Sequence, residues 1–427
     1  MPNGSSTIRI RVRMRARPID EPHRASSQLE LLFDLTFVVA IAAATAQLAH
    51  TIGDGHGRDG LVPFLLVFFA IWWAWMNFTW FASSYDTDDV LYRLLTMLQM
   101  AGVLVLAAGV PAAADHSDFR VITIGYLIMR VGLVTLWLRA AIEDPDRRRT
   151  ALRYAAGLTI LMMGWILRNV LAEADVLPSP GLLLFFVCLA ALELAVPHWA
   201  ERVQTTNWHP HHIAERYGLF TIILLGESVL AAGIGVRSAV EVGELSGSFV
   251  VIAVAGLTLL FALWWLYFLE PSGYGLADRR HRSYLWGYGH YGIFAALAAL
   301  GAGLEVAVEQ TTHHLAASSL TICYAVAIPA GGFILLLWAV HLPIVENPVV
   351  RPVATLTAVA VIWLLPLAVS WIGVAGVIAA IAAAAVLLVI GTVAPRAGSA
   401  AAGVVVAGDD EAAFVGEDDG LDPVTET

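Results

Sequence analysis

The sequence predicts an all-α fold, a polytopic membrane bundle of about twelve helices, from three observations. Of 427 residues, 59% are hydrophobic and 14% charged, where a soluble domain is about 45–50% apolar and about 25% charged. Apolar runs of roughly 20 residues, the length that crosses a bilayer, recur along the chain. Between them the arginines alternate in density, as they do where basic residues are kept on the cytoplasmic side.

The chain opens with Arg9, Arg11, Arg13, Arg15, Arg17 and Arg24 before any apolar run. The run that follows is longer than a signal-peptide core and carries acids, so residues 1–27 read as an Arg-rich cytoplasmic segment. Helices one to twelve are expected at 29–50, 61–82, 92–111, 119–140, 151–172, 181–199, 213–236, 248–270, 283–308, 315–341, 352–371 and 373–394, the last two being either full spans or one re-entrant hairpin. Residues 395–427 hold eight acids and one base, Arg396, and read as an acidic disordered tail. Alternating sides from a cytoplasmic N-terminus places 19 arginines on inner segments and three (Arg58, Arg120, Arg237) on outer ones. Arg130 and Arg168 fall inside helices. This is the positive-inside distribution expected of a multi-pass cell-membrane protein with both termini cytoplasmic.

Two stretches repeat. Phe69-Ala70-Ile71-Trp72-Trp73 in helix two is matched by Phe261-Ala262-Leu263-Trp264-Trp265 in helix eight, 192 residues later. Glu30 and Thr36 in helix one are matched by Glu215 and Thr221 in helix seven, 185 later. The expectation is two parallel six-helix halves, 28–204 and 205–394.

Composition excludes several chemistries. No lysine occurs, so there is no P-loop lysine and no Schiff base to retinal or pyridoxal. The two cysteines, Cys188 and Cys323, lie in apolar runs and form no CxxC site. His209, His211 and His212 precede helix seven with Glu215 one turn on, but Pro210 interrupts them and no HExxH pair exists. A helix cap is preferred there, and neither metal nor cofactor is expected. The expected partners are the lipid bilayer and a small-molecule or ion substrate, not nucleic acid.

The candidate functional residues are the ionisable groups that the membrane makes expensive, at ~2.5–3.5 kcal/mol or more each. At 1.5 Å per residue from the inner helix ends, Asp34 and Glu193 lie ~9 Å in, His290 ~10 Å, Arg130 ~14 Å and Glu227 ~16–20 Å, with Glu30 one turn shallower than Asp34. These depths match Arg130 with Glu227, and put Asp34, Glu193 and His290 within reach of one inner polar cavity. Glu215, Arg216 and His212 form a polar entrance on helix seven, where Gly226 and Gly233 are candidates for close helix packing.

With these residues named, the chain resembles the bacterial low-temperature-requirement A family of multi-pass membrane proteins. The resemblance is carried by Glu30-Leu31-Leu32-Phe33-Asp34-Leu35, by His212-Ile213-Ala214-Glu215-Arg216-Tyr217-Gly218-Leu219-Phe220 leading to Leu225-Gly226-Glu227-Ser228, and by Trp264-Trp265 before Tyr267-Phe268. It covers roughly 26–394 and implies an integral membrane protein linked by name to growth in the cold. The leading expectation is a secondary transporter or permease with protonatable intramembrane carboxylates. The alternatives are a structural or sensory membrane protein, or an intramembrane lipid-acting enzyme using His212, Glu215 and His290 as acid–base groups.

A reporter fused after Ala394 is expected to read cytoplasmic; a periplasmic signal there removes one span from this topology.

Overall fold

The computed structural model describes residues 10–19, 21–22, 24–242, 246–345 and 349–404. Among these the regular elements are all helical: α1 (Gln28–Gly53), α2 (Gly57–Tyr85), α3 (Val90–Ala108), α4 (Val110–His116), α5 (Arg120–Glu143), α6 (Arg148–Glu173), α7 (Ser179–Glu201), α8 (Pro210–Val242), α9 (Gly247–Phe268), α10 (Ser272–Asp278), α11 (Ser283–Glu309), α12 (Ser319–His341), α13 (Pro352–Leu364) and α14 (Val369–Val404). Local chemistry sets several starts. Ser27 and Glu30 make a reciprocal capping box on α1, and the Asp89, Ser246 and Ser318 side chains accept the orphan amides of Tyr92, Phe249 and Thr321.

The described residues hold ten segments long and apolar enough to cross a membrane. α8 carries a further apolar run at 217–234, and residues 352–393 count as one. Twelve separate spans are thus not reached. The reason is local: α13 has 13 residues, ~20 Å of helix against a ~30 Å hydrocarbon core. A 3-10 turn at Leu365–Ala368 follows, then Gly373 at φ 68, ψ 174, a backbone that L residues rarely adopt. Thr355 and Leu388 line the same cavity, so α14 folds back towards the start of α13. α14 continues to Val404, past the expected boundary at 394, and the acidic stretch after it lies outside the described residues.

Helix pairing follows an order that recurs. α1 packs on α2 and α3, α3 on α5, α5 on α6 and α6 on α7. In the second part α8 packs on α9 and α11, α11 on α12, α12 on α13 and α13 on α14. The tightest contact of each series uses a small residue. A Cβ on Gly125 would stand 2.6 Å from the Gly102 carbonyl oxygen, and one on Gly303 would stand 2.6 Å from the Ala325 carbonyl carbon. Gly226 and Gly233, expected to serve this purpose, have nothing within 4 Å among the described residues. The matched tryptophans differ in setting: Trp72 and Trp73 are about 1% exposed, Trp264 and Trp265 44% and 47%. α2 runs between the two series, touching α1, α5, α8 and α11, which is why its aromatic face is enclosed.

The N-terminal segment is a strap rather than a solvated anchor. Residues 10–19 run extended across the end of the bundle where α2, α5 and α7 stop. Val12 and Met14 donate backbone amides to the Asp89 and Glu143 carboxylates at 2.8 and 2.6 Å, and Arg17 donates its amide to the Ser84 carbonyl. Asn207 donates to the Arg17 carbonyl at 2.9 Å. Arg139, at the end of α5, clasps Asp89 at 2.5 Å and donates to the Val12 carbonyl.

Gly125→Ala and Gly303→Ala each push against backbone and are expected to destabilise the purified protein by ~1–3 kcal/mol, whereas Gly226→Ala is expected to leave it unchanged. Thermal unfolding in detergent reads the difference; equal melting of all three would remove close approach as the reason for those glycines.

Candidate functional site: a buried ion network

The sequence places two carboxylates one turn apart on α1 and a histidine and arginine one turn apart on α8. The fold turns these faces towards each other. Arg216 donates from Nε to Asp34 Oδ2 at 2.7 Å and from Nη2 to Asp34 Oδ1 at 2.5 Å, a bidentate fork. Its Nη1 lies 3.1 Å from Glu30 Oε1, and His212 Nε2 lies 3.1 Å from the same oxygen. Arg216, Glu30 and His212 are fully buried and Asp34 is 1% exposed.

α2 and the strap close the network. Trp75 donates its indole N–H to Asp34 Oδ1 at 2.7 Å, and Thr79 Oγ1 accepts from Arg216 at 3.3 Å. Arg24 reaches Glu30 at 3.4 Å and Asp86 at 3.5 Å. The second Glu30 oxygen accepts the Ser27 amide at 2.7 Å, so the residue that caps α1 also anchors the ion network. At the rim, burial and the nearby Glu30 charge push the Asp86 carboxyl up to about 6, against the pull of Arg24 and Arg17. Asp89 is also raised by burial, yet the Arg139 hydrogen bond and the Val12 and Tyr92 amides bring it below the usual carboxylate range.

A second buried pair sits nearer mid-membrane. Arg130 Nη2 donates to Glu193 Oε2 at 2.8 Å and to Tyr126 Oη at 3.0 Å, and its guanidinium lies 4.7 Å from the Tyr126 ring centroid. Trp73 and Trp165 donate their indole N–H groups to Glu193 at 2.8 and 3.2 Å. Depth alone matched Arg130 with Glu227; the structure pairs it with Glu193, because α5 and α7 both pack on α6 while Glu227 points elsewhere on α8. Glu227 is half-buried and its Oε2 has no hydrogen-bond partner among the described residues.

The inner cavity expected from Asp34, Glu193 and His290 does not form. Each is committed to different partners: Asp34 to Arg216, Glu193 to Arg130, and His290 to the Tyr267 hydroxyl at 3.2 Å and the Trp286 carbonyl at 2.7 Å. Glu215 accepts the Ser26 amide at 3.3 Å. His209 acts as the cap expected of the histidine cluster, its Nδ1 accepting the His212 amide at 3.3 Å. No group of three His, Cys, Asp or Glu suited to a metal occurs among the described residues. Sequence reasoning missed Arg24, Trp75, Thr79 and Tyr92, the last fully buried beside the network. For Arg24 a signal existed: it lies three residues before the Ser27 cap, too close to a buried helix start to behave as a free basic head.

Residues 25–394 match the family described as bacterial low temperature requirement A protein (LtrA). The chain is also 29% identical over 297 residues to the uncharacterized protein RA0937 of Rhizobium meliloti (strain 1021), covering 66% of this chain and 69% of that protein. The matched stretch contains Glu30, Asp34, His212 and Arg216, and begins one residue after Arg24.

Arg216→Met leaves Asp34 and Glu30 buried without their main cation, and a loss of ~3–5 kcal/mol is expected. Adding Asp34→Asn and Glu30→Gln to Arg216→Met is expected to restore part of it, since neutralising the whole group removes the uncompensated charge. Melting of the three proteins in detergent tests this; a triple variant less stable than the single one would show that the acids are held by other contacts.

Proposed function

The chain belongs to the bacterial low temperature requirement A family, and from that premise we propose that it is a secondary transporter or permease of the cell membrane, with both termini cytoplasmic and its ionisable intramembrane groups coupling transport to protons. The observation that carries the reading is the Asp34–Arg216–Glu30 group. It joins α1 to α8, the first helices of the two packing series. A buried charge group between two helical units is where a change in protonation acts on their relative position. A proton on Asp34 weakens the fork to Arg216, and a rearranged α1–α8 contact would alter access to the membrane interior. The recurring helix pairing supports two six-helix halves, 28–204 and 205–394, and the arginine distribution supports the orientation.

Glu227 is the second element of the reading. It lies further along α8 than Arg216, half-buried, with one oxygen unpartnered among the described residues. With Arg130 already paired to Glu193, Glu227 is available to bind and release a proton.

A second reading, in which the ion groups serve only to lock helices together, is favoured by one observation: Glu30, His212 and Arg216 have no exposure at all. Flux separates the two. In proteoliposomes loaded with a pH-sensitive dye, an imposed pH gradient is expected to drive proton flux through the wild-type protein. Glu227→Gln is expected to elute and melt normally and to abolish that flux. Unchanged flux together with unchanged cold growth would leave Glu227 a tolerated structural acid and favour the locking role.

A further inference from the structure

A cleft opens between α2, α5, α6, α7 and the start of α11, towards the strap end of the bundle. Its walls are aromatic. Trp137 and Tyr154 stack face to face at 4.2 Å on one side. Tyr284 and Tyr288, 5.7 Å apart, stand among the other lining residues, and Trp73 meets Tyr288 edge to face at 5.8 Å. The polar feature among these rings is the Glu201 carboxylate at the end of α7. Its Oε1 accepts from the Tyr154 hydroxyl at 3.0 Å and from Thr206 Oγ1 at 2.6 Å, and its Oε2 accepts from the Tyr284 hydroxyl at 2.9 Å.

Three hydroxyl donors fix this carboxylate in place without a direct ion pair among the described residues. Among the described residues no arginine or histidine comes within 4.0 Å of it, in contrast to Glu30, Asp34, Glu143 and Glu193. The nearby guanidinium groups are committed elsewhere. Arg280 lies 3.9 Å from the Trp208 ring centroid and donates to the Trp208 carbonyl at 2.9 Å. Arg147 donates to Asn207 at 2.8 Å, and Arg153 lies over Trp199. A positioned carboxylate set among aromatic rings offers a cation both a counter-charge and ring quadrupoles.

We propose that this cleft binds a quaternary ammonium group carried by a solute or a lipid headgroup. Such a cation is bulky and weakly hydrated, fills a space lined by aromatic rings, and makes no demand for the hydrogen-bond acceptors that a primary ammonium needs. Glu201 supplies the counter-charge; Trp137, Tyr154, Tyr284 and Tyr288 supply the cage. The site is separate from the Asp34–Arg216 network, and the proposal stands whether or not the chain moves protons.

The test uses the full-length protein in a maltoside detergent, with tryptophan fluorescence as readout. Choline is titrated against 3,3-dimethylbutan-1-ol, its uncharged carbon isostere, and against lysophosphatidylcholine. Choline is expected to bind at least about tenfold more tightly than the isostere, and Glu201→Gln, melting as the wild type does, is expected to weaken it about tenfold. Trp137→Leu is expected to weaken it independently. Saturable lysophosphatidylcholine binding without choline binding, lost in Glu201→Gln, identifies a lipid headgroup as the source; competition between the two identifies a site open to solutes. Equal binding of choline and its isostere, or binding that Glu201→Gln leaves untouched, overturns the proposal.

Discussion

The bidentate contact between Arg216 and Asp34 is the constraint on which the arrangement of the bundle depends. A guanidinium removed from water must find acceptors in fixed directions, and its planar fork matches a carboxylate only when both helices hold a particular register. α1 and α8 therefore meet at one rotation and one height. The neighbouring turns then fall into place: Glu30 below Asp34 on α1 meets His212 below Arg216 on α8. α2 is drawn in because Trp75 and Thr79 finish the hydrogen bonding that the pair leaves open. Apolar packing alone sets no such register in a membrane, since lipid tails are as greasy as the helices they touch.

The same logic explains why the strap is ordered. Glu30 accepts from its own cap and shares Arg216 with Asp34, so Arg24 adds a second cation at the network's edge and ties down the segment before α1. Further along, Asp89 and Glu143 hold Val12 and Met14 by their amides. Backbone amides of an extended segment without a sheet partner must find acceptors, and here acidic helix ends provide them. The arginine-rich start of the chain is thus part of the folded end of the bundle, and its charges pair with acids there.

Much of the fold was legible because membrane helices announce themselves by length and hydropathy, and because the arginines alternate. The boundaries of α1, α5, α7 and α12 fall within a few residues of the apolar runs. The last two elements were less legible, since hydropathy does not register a Gly373 fold-back inside a continuous apolar run. Of the site, the residues were legible and the partnerships were not. Glu30, Asp34, His212 and Arg216 stand out as costly charges, yet depth is one coordinate of three and does not say which helix faces which. Arg130 and Glu227 matched in depth and still found no contact, because helix rotation and neighbour order decide pairing. Glu201 was invisible for a different reason: at a helix end a carboxylate raises no alarm, and only the rings assembled around it from α2, α6 and α11 give it a setting.

The two kinds of buried charge in this protein differ in what they leave available. At Arg130–Glu193 two indoles donate to the carboxylate and a phenol accepts from the same guanidinium nitrogen, Nη2, that meets Glu193, between helices that already belong to one packing series. Such a pair has little to gain from moving. At Asp34–Arg216 the partners come from different series, a second acid, Glu30, shares the guanidinium and meets His212, and the rim carries Asp86, whose carboxyl burial pushes up to about 6. Here three acids, Glu30, Asp34 and Asp86, share three arginines, Arg216, Arg24 and Arg17, so the contacts of each depend on the charge of its neighbours. Of the two groups, this one ties the two packing series together.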